Sequence, residues 1–215
     1  MIQVCSVNLG KKQTLDMGDR QAETGIYKQP VSETVHIKIN GLVGDEICDG
    51  RFHGGPDQAV YIYRAEDYAW WGSELGKTCV PGLFGENLTI KGLEAPGLFV
   101  GDRLDFGDLI LEVTAPRIPC ALFARRMGDS GFVKKFLRAE RPGFYCRVIQ
   151  EGMVSTGSEV SFVRTNLESI STVEFFHDAS QRLSIEKLER YLSLPIDIRS
   201  RKDFQKKLTA RRIAD

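Results

Sequence analysis

Glycine punctuates this chain from its N-terminus to about residue 163 and disappears beyond Asn166, and short β-rich runs fill the intervals between the glycines. Glycine turns the chain where other residues would strain it, so strands this short, turned this often, close into a barrel or stack into a sandwich. Val35-His36-Ile37-Lys38-Ile39 alternates between two faces, as a half-buried strand does. Ala59-Val60-Tyr61-Ile62-Tyr63 and Asn87-Leu88-Thr89-Ile90 are further runs, and Arg103–Phe106 and Leu109–Val113 flank Gly107-Asp108 as a hairpin. Phe144–Ile149 and Glu159–Val163 complete the set. Short helices are expected over 64–71, 121–128 and 132–140. The glycine-free tail predicts three amphipathic helices near 169–176, 184–192 and 200–211. Ser184 serves as an N-cap there, and Leu194-Pro195 separates the last two. The expected fold is therefore mainly β (α+β): a β-barrel over 1–163 with short peripheral helices, then a three-helix module over 164–215.

Several function classes drop out on composition. The 29 basic and 29 acidic residues give a formal net charge of zero, so no whole-molecule field draws the chain to a nucleic-acid polymer or an anionic membrane. No apolar run approaches the ~20 residues of a membrane helix, and the N-terminus lacks the order of a secretory signal. A cytoplasmic location without membrane attachment is the expectation. Cys5, Cys48, Cys79, Cys120 and Cys146 are odd in number, widely spread and never in C-x-x-C spacing. That argues against a disulfide framework, a zinc ribbon and a cysteine-ligated iron–sulfur cluster.

Three segments have the chemistry of a site. His53-Gly54-Gly55-Pro56-Asp57-Gln58 is a tight turn before a strand, with His53, Asp57 and Gln58 as polar contacts; Asp57 bonding its own backbone is an equal reading. Gly82-Leu83-Phe84-Gly85-Glu86-Asn87 again sets glycines before polar groups. Asn87 both donates and accepts, as the edge of a heterocycle requires, although Glu86 and Asn87 could simply satisfy the loop backbone. Thr114-Ala115-Pro116-Arg117-Ile118-Pro119-Cys120 brackets an arginine between prolines and delivers a thiol at a strand end. Proline stiffens the loop, guanidinium matches phosphate or carboxylate, and a neighbouring cation favours the thiolate that binds soft metals or attacks electrophiles. A random cysteine is more often a core residue; the Pro-Arg-x-Pro-Cys setting tips Cys120 towards function. Lys28 lies beside a turn, where it could reach a phosphate or, as most lysines are, simply be solvated. On Tyr145-Cys146-Arg147, alternation sets Tyr145 and Arg147 on one face and Cys146 on the core face. His36 and His177 read as structural or exposed.

Taken together, GIYKQPV (25–31), DGRFHGGPDQAVYIY (49–63), GLFGENLTIKGL (82–93), VGDRLDFGDLILEVTAPRIPC (100–120) and GFYCRVIQEG (143–152) resemble the MOSC domain, named for the C-terminal domain of molybdenum cofactor sulfurase, in its bacterial YiiM-like branch. The likeness covers most of the first 163 residues in order and spacing, and the helical tail is similar to the module that follows the barrel in that branch. The resemblance implies a β-barrel that binds molybdenum cofactor (molybdopterin), with Cys120 as the protein's catalytic ligand to the metal. It implies Lys28, Asn87 and Arg117 at the cofactor, and His53, Asp57, Gln58 and Arg147 in its pocket. The family is associated with pyridoxal phosphate as well.

The implied activity is reduction of N-hydroxylated small molecules such as hydroxylaminopurines or amidoximes. No G-x-G-x-x-G fingerprint or iron–sulfur cysteine cluster is present, so electrons would come from a separate flavin or iron–sulfur protein. A homodimer is a family-level expectation. Two other classes stay open: a molybdenum cofactor or sulfur carrier without turnover, and a metal-free cysteine hydrolase in which folding brings His53 to Cys120.

Overall fold

The computed structural model describes residues 1–18, 20–48, 50, 54–93, 98–165 and 168–214. Its first half contains β1 (Ile2–Gly10), β2 (Gln13–Asp16), β3 (Gln21–Thr24), β4 (Lys28–Val31), β5 (Val35–Lys38), β6 (Gly41–Leu42), β7 (Val60–Arg64), α1 (Ala65–Leu75) and β8 (Leu88–Lys91). Then come β9 (Arg103–Asp105), β10 (Ile110–Pro116), α2 (Ala121–Met127), α3 (Phe132–Ala139), β11 (Phe144–Gln150), β12 (Gly152–Val154) and β13 (Glu159–Val163). Helices α4 (Thr172–Asp178), α5 (Ile185–Ser193) and α6 (Ile198–Ala214) follow.

Seven strands close on themselves in the order β1, β8, β7, β11, β10, β9, β13, and β13 returns to β1 through Ile2–Val160 and Gln3–Glu159. The β7–β8 pair is parallel and the other neighbours in the ring are antiparallel. Beyond the point where β13 leaves β1, β4 takes over the same edge from Val7 to Gly10. β12, β5 and β6 make a small separate sheet, and β2–β3 stands out as its own hairpin. The expected turn at Gly107 joins β9 to β10, with Gly107 at φ 99° and Phe106 N–H bonded to Leu109 C=O at 2.9 Å. The architecture is thus a closed mixed β-barrel with short helices around it and a helical C-terminal region, as the glycine-punctuated pattern predicts.

Alternation along the strands decides what fills the barrel. On β7, Val60 and Ile62 join an aliphatic core with Leu88, Ile90, Leu104, Leu111 and Val113, while Tyr61 and Tyr63 face an aromatic cluster on the other side. Each such aliphatic side chain contributes about 1.5–3 kcal/mol by leaving water. β1 breaks the period-two rule and keeps its core face by a bulge. Its register against β8 slips between Val4 and Ser6, so Val4 and Val7, three apart, both reach the aliphatic core.

The helices cover the outside. α1 buries Asp67, Tyr68 and Trp71 and ends on Gly76 in the left-handed region at φ 61°. Phe132 and Phe136, one turn apart on α3, stack into the same aromatic cluster. Ser171 and Ser184 cap α4 and α5 by accepting the N–H groups of Glu174 and Lys187. The C-terminal helices bury Phe175, Leu188, Tyr191 and Phe204 together with Val100 and Ala115 of the barrel region, so they share a core with it. Among the described residues, no helix is long and apolar enough to cross a membrane.

Candidate functional site

β10 ends at Pro116, and Arg117–Cys120 bridges it to α2. Cys120 occupies the N-cap position of α2 with extended backbone (φ −129°, ψ 172°), and its side chain makes no capping bond. The thiol is free and half-buried, and it opens on a cavity of about 1310 Å³. The β2–β3 hairpin, Lys28, residues 45–48, Gln58, Tyr61, Asn87, Arg117, Ile118–Leu122 and Tyr145 all contribute to its walls.

One carboxylate organises the inner wall. Asp45 accepts Gly10 N–H at 2.7 Å, the Lys28 ammonium at 2.5 Å through both oxygens, and Asn87 Nδ2 at 2.9 Å. Burial pulls the Lys28 pKa down, while the Asp45 charge beside it favours the ammonium. The lysine expected to await a phosphate is therefore already paired. Asn87 returns its Oδ1 to Tyr61 N–H at 3.1 Å, and its own N–H meets Tyr61 C=O at 2.8 Å, which fixes it across the β7–β8 junction. Glu86 accepts Gly82 N–H at 2.7 Å and the Thr89 hydroxyl at 2.8 Å, and also bonds the Tyr68 hydroxyl. Its complete burial pushes its carboxyl pKa up, with the Tyr68, Gly82 and Thr89 bonds opposing. The glycines of this loop are required: a Cβ on Gly82 would lie 2.5 Å from Lys28 O, and one on Gly85 would lie 2.8 Å from Ile26 and 3.3 Å from Arg117.

Arg117 is buried and held by stacking. Its guanidinium lies 4.3 Å from the Phe123 ring and 5.0 Å from the Tyr61 ring, and one N–H donates to Phe84 C=O. Burial opposes its charge, but attraction to Tyr145, Tyr61 and Cys120 raises its pKa on balance. Tyr145 packs 5.0 Å from Tyr61, and burial pushes its phenol pKa up, against the pull of Arg117. The cavity floor is thus a cation set in aromatic rings, and the phenols beside it are neutral at ordinary pH.

Of the residues singled out by sequence, Cys120, Lys28, Asn87, Arg117 and Gln58 come together around this cavity. His53 lies outside the described residues. Asp57 and Arg147 are not on the wall; they pair with each other at 3.0 Å. Arg147 also donates to the carbonyls of Pro195 and Ile196 at 2.9 and 3.1 Å, and Asp57 accepts Ile198 N–H at 2.9 Å. Tyr145 and Arg147 share a face of β11, but at Arg147 that face is covered by the segment leading into α6. Cys146, on the opposite face, is fully buried in the barrel.

Asp45 is the residue that sequence reading missed. Its only signal is an acid directly after Gly44 at a turn, and its partners lie 35, 17 and 42 positions away. Among the described residues no three His, Cys, Asp or Glu side chains gather as a metal cage; the soft thiols on the cavity wall are Cys120 and, well before the Pro-Cys segment in sequence, Cys48.

Residues 49–161 match the family model of the MOSC domain. YflK of Bacillus subtilis (strain 168) is 37% identical over 190 residues, covering 86% of each chain. A protein of Gibberella moniliformis named "Reductase" is 31% identical over 144 residues, which are 65% of this chain and 26% of that longer one. The crystal structure of YiiM from Geobacillus stearothermophilus superposes with a TM-score of 0.80 at 28% identity, over 97% of this chain and 100% of that one. The barrel, the position of Cys120 beside it and these likenesses agree: the chain belongs to the MOSC domain family and is YiiM-like.

Proposed function

We propose that this chain binds molybdenum cofactor and reduces N-hydroxylated small molecules, of the hydroxylaminopurine or amidoxime type, with electrons from a separate flavin or iron–sulfur protein. The MOSC family is associated with molybdenum cofactor binding in general. The observation that carries the reading here is the Cys120 thiol, uncommitted to any cap, on a cavity shared with Arg117, Lys28 and Asn87.

The residues fit such a group. A thiolate is the soft anionic ligand that molybdenum takes. At about 1310 Å³ the cavity exceeds the ~300–1,000 Å³ of ordinary ligand pockets, leaving space for a substrate beside a pterin. Pyridoxal phosphate is fitted less well: Lys28 is the one lysine on the described wall, and both oxygens of Asp45 engage it.

When bound, the cofactor supplies a two-electron redox centre, and the overall conversion takes an N–OH group with two electrons and two protons to N–H and water. The protein's part is to hold and orient. Cys120 anchors the group from a backbone stiffened by Pro116 and Pro119. Arg117, kept cationic among rings, supplies the positive field that an anionic pterin phosphate needs. Lys28 adds charge in so far as a phosphate competes with Asp45 for its ammonium. Asn87 has one N–H and one lone pair left after its bonds to Asp45 and Tyr61, enough to read a heterocycle edge. Neutral Tyr145 can donate its O–H to the oxygen that is removed. The reductase likeness covers only the matched 144 residues of the fungal protein and supports the reaction class alone.

The test is molybdenum and pterin analysis of protein from a host that makes the cofactor, wild type beside Cys120→Ser, followed by turnover of an N-hydroxylated base with an artificial electron donor. The wild type should carry near-stoichiometric molybdenum and turn over. Cys120→Ser should lose both with stability changed by no more than about 0.5 kcal/mol. Equal molybdenum in the two proteins would remove Cys120 as ligand, and loaded protein without turnover would favour a carrier.

A further inference from the structure

The C-terminal helices reach the described cavity wall through Arg199. Arg199, in the first turn of α6, donates Nη1–H to Gly54 C=O at 2.9 Å and to Gln58 Oε1 at 2.8 Å, and Nη2–H to Gly50 C=O at 3.0 Å. Gly50, Gly54 and Gln58 all line the cavity. The same corner is tied twice more, by Ile198 N–H on Asp57 and by the Asp57–Arg147 pair. Three acceptors spread over nine positions are thus drawn to a single planar fork, a geometry that lysine's point charge does not reproduce. Gly54 and Gly55 both stand at positive φ, 68° and 84°, and they have no side chains with which to pack the turn in place.

We propose that Arg199 is a positioning residue for the cavity: α6 shapes the Gly54–Gln58 wall through it, so that ligand retention at Cys120 depends on the C-terminal helices. The electrostatics run in the same direction. Tyr145 lines the cavity, and the positive charge of Arg199 favours its ionised form against the dominant effect of burial, with the neighbouring Asp197 opposing it, so the charges at the start of α6 are felt at the site. An anion seated in the cavity gains from the Arg199 charge. By linkage, a ligand that binds better to the ordered wall must tighten the docking of α6 by the same factor. The positioning stands whatever the cavity holds; only the retention of pterin rests on the function proposed above.

The experiment is hydrogen exchange of the full chain as purified, read on peptides spanning 54–60, for wild type, Arg199→Ala, Arg199→Lys and the α6 control Arg212→Ala. Arg212 pairs with exposed Glu189 at 2.5 Å, away from the cavity. Arg199→Ala should exchange about tenfold faster over this segment with β10 and β11 unchanged. Arg199→Lys should fall between, and Arg212→Ala should match wild type. Unchanged exchange over 54–60 in Arg199→Ala overturns the proposal. If that variant does not fold, Arg199→Lys decides by the same criterion. Pterin retained after dialysis, measured on the same samples, should drop several-fold in Arg199→Ala. Faster exchange with pterin held as in wild type would overturn the link to ligand retention. A wild type with no pterin would sink the function proposed above and leave the wall test to decide the positioning.

Discussion

Two cores meet back to back along β7, and they are built from different chemistry. Inside the barrel the cluster is mainly aliphatic: among the described residues Phe144 is its one buried aromatic, with Phe106 and Phe162 packed at its edge. Outside, between the barrel wall and α1, α2, α3 and α4, nine of the ten described buried residues are aromatic, from Tyr61 and Trp71 to Phe136 and Phe176. Aliphatic side chains fill a curved, closed interior and bring no polar atom that would need a partner. The aromatic cluster carries polar handles, and it uses them: Tyr61 donates to Pro142 C=O at 2.8 Å, Tyr63 to Arg141 C=O at 2.9 Å, and Trp71 Nε1 to the Tyr63 hydroxyl at 2.6 Å. Its ring faces also hold the Arg117 guanidinium. One core gives the molecule its shape and the other stiffens the wall on which the cavity is built.

That division can be broken by substitution. Trp71→Ala removes the largest fully buried side chain, in contact with Phe84, Phe132 and Phe136. It should cost about 3–5 kcal/mol in denaturant unfolding, and pterin retention should fall as well, because Phe84 anchors Arg117. A full loss of stability with retention intact would mean that the aromatic core does not support the site. Ile62→Val trims the barrel side of the same strand. The expectation is a cost of about 0.5–1.5 kcal/mol with the site unaffected, and a change in retention would show that the two cores are not separate.

Glu86→Gln should have the smallest effect at any one pH and appear as a slope. Burial raises the folded-state pKa of Glu86 above its ordinary 4.5. Below 4.5 both states are protonated; as pH climbs through the folded value, the unfolded chain ionises first and the wild type loses stability relative to Gln. Unfolding midpoints across a pH series should therefore diverge in favour of Gln above pH 4.5, and parallel curves would show that its hydrogen bonds outweigh its burial.

Strands with one wet and one dry face were legible in the sequence: alternation marked Val35–Lys38, and the turn at Gly107 gave β9–β10. The β2–β3 hairpin was not, because Gln13–Asp16 and Gln21–Thr24 are mostly exposed and polar and have no apolar period to read. Helix ends moved by a few residues: α6 runs from Ile198 to Ala214, beyond the expected 200–211, since its charged surface has no periodic stripe to mark its ends. In the site, prolines and glycines flagged the segments of Cys120, Arg117 and Asn87. Asp45 and Arg199 act on partners scattered along the chain, at separations that only the folded barrel brings together.

The closure of the ring through Ile2–Val160 has a consequence for how the molecule is made. At roughly 5–20 residues per second, a ribosome reaches Val160 some 8–30 s after Ile2. For about the first half of that time β1 has neither β8 nor β13 beside it, and its one available partner is β4 once that strand is made. The first strand is thus an exposed edge on the nascent chain, and the barrel as a whole must assemble late, from contacts far apart in sequence, which is the slow regime of folding.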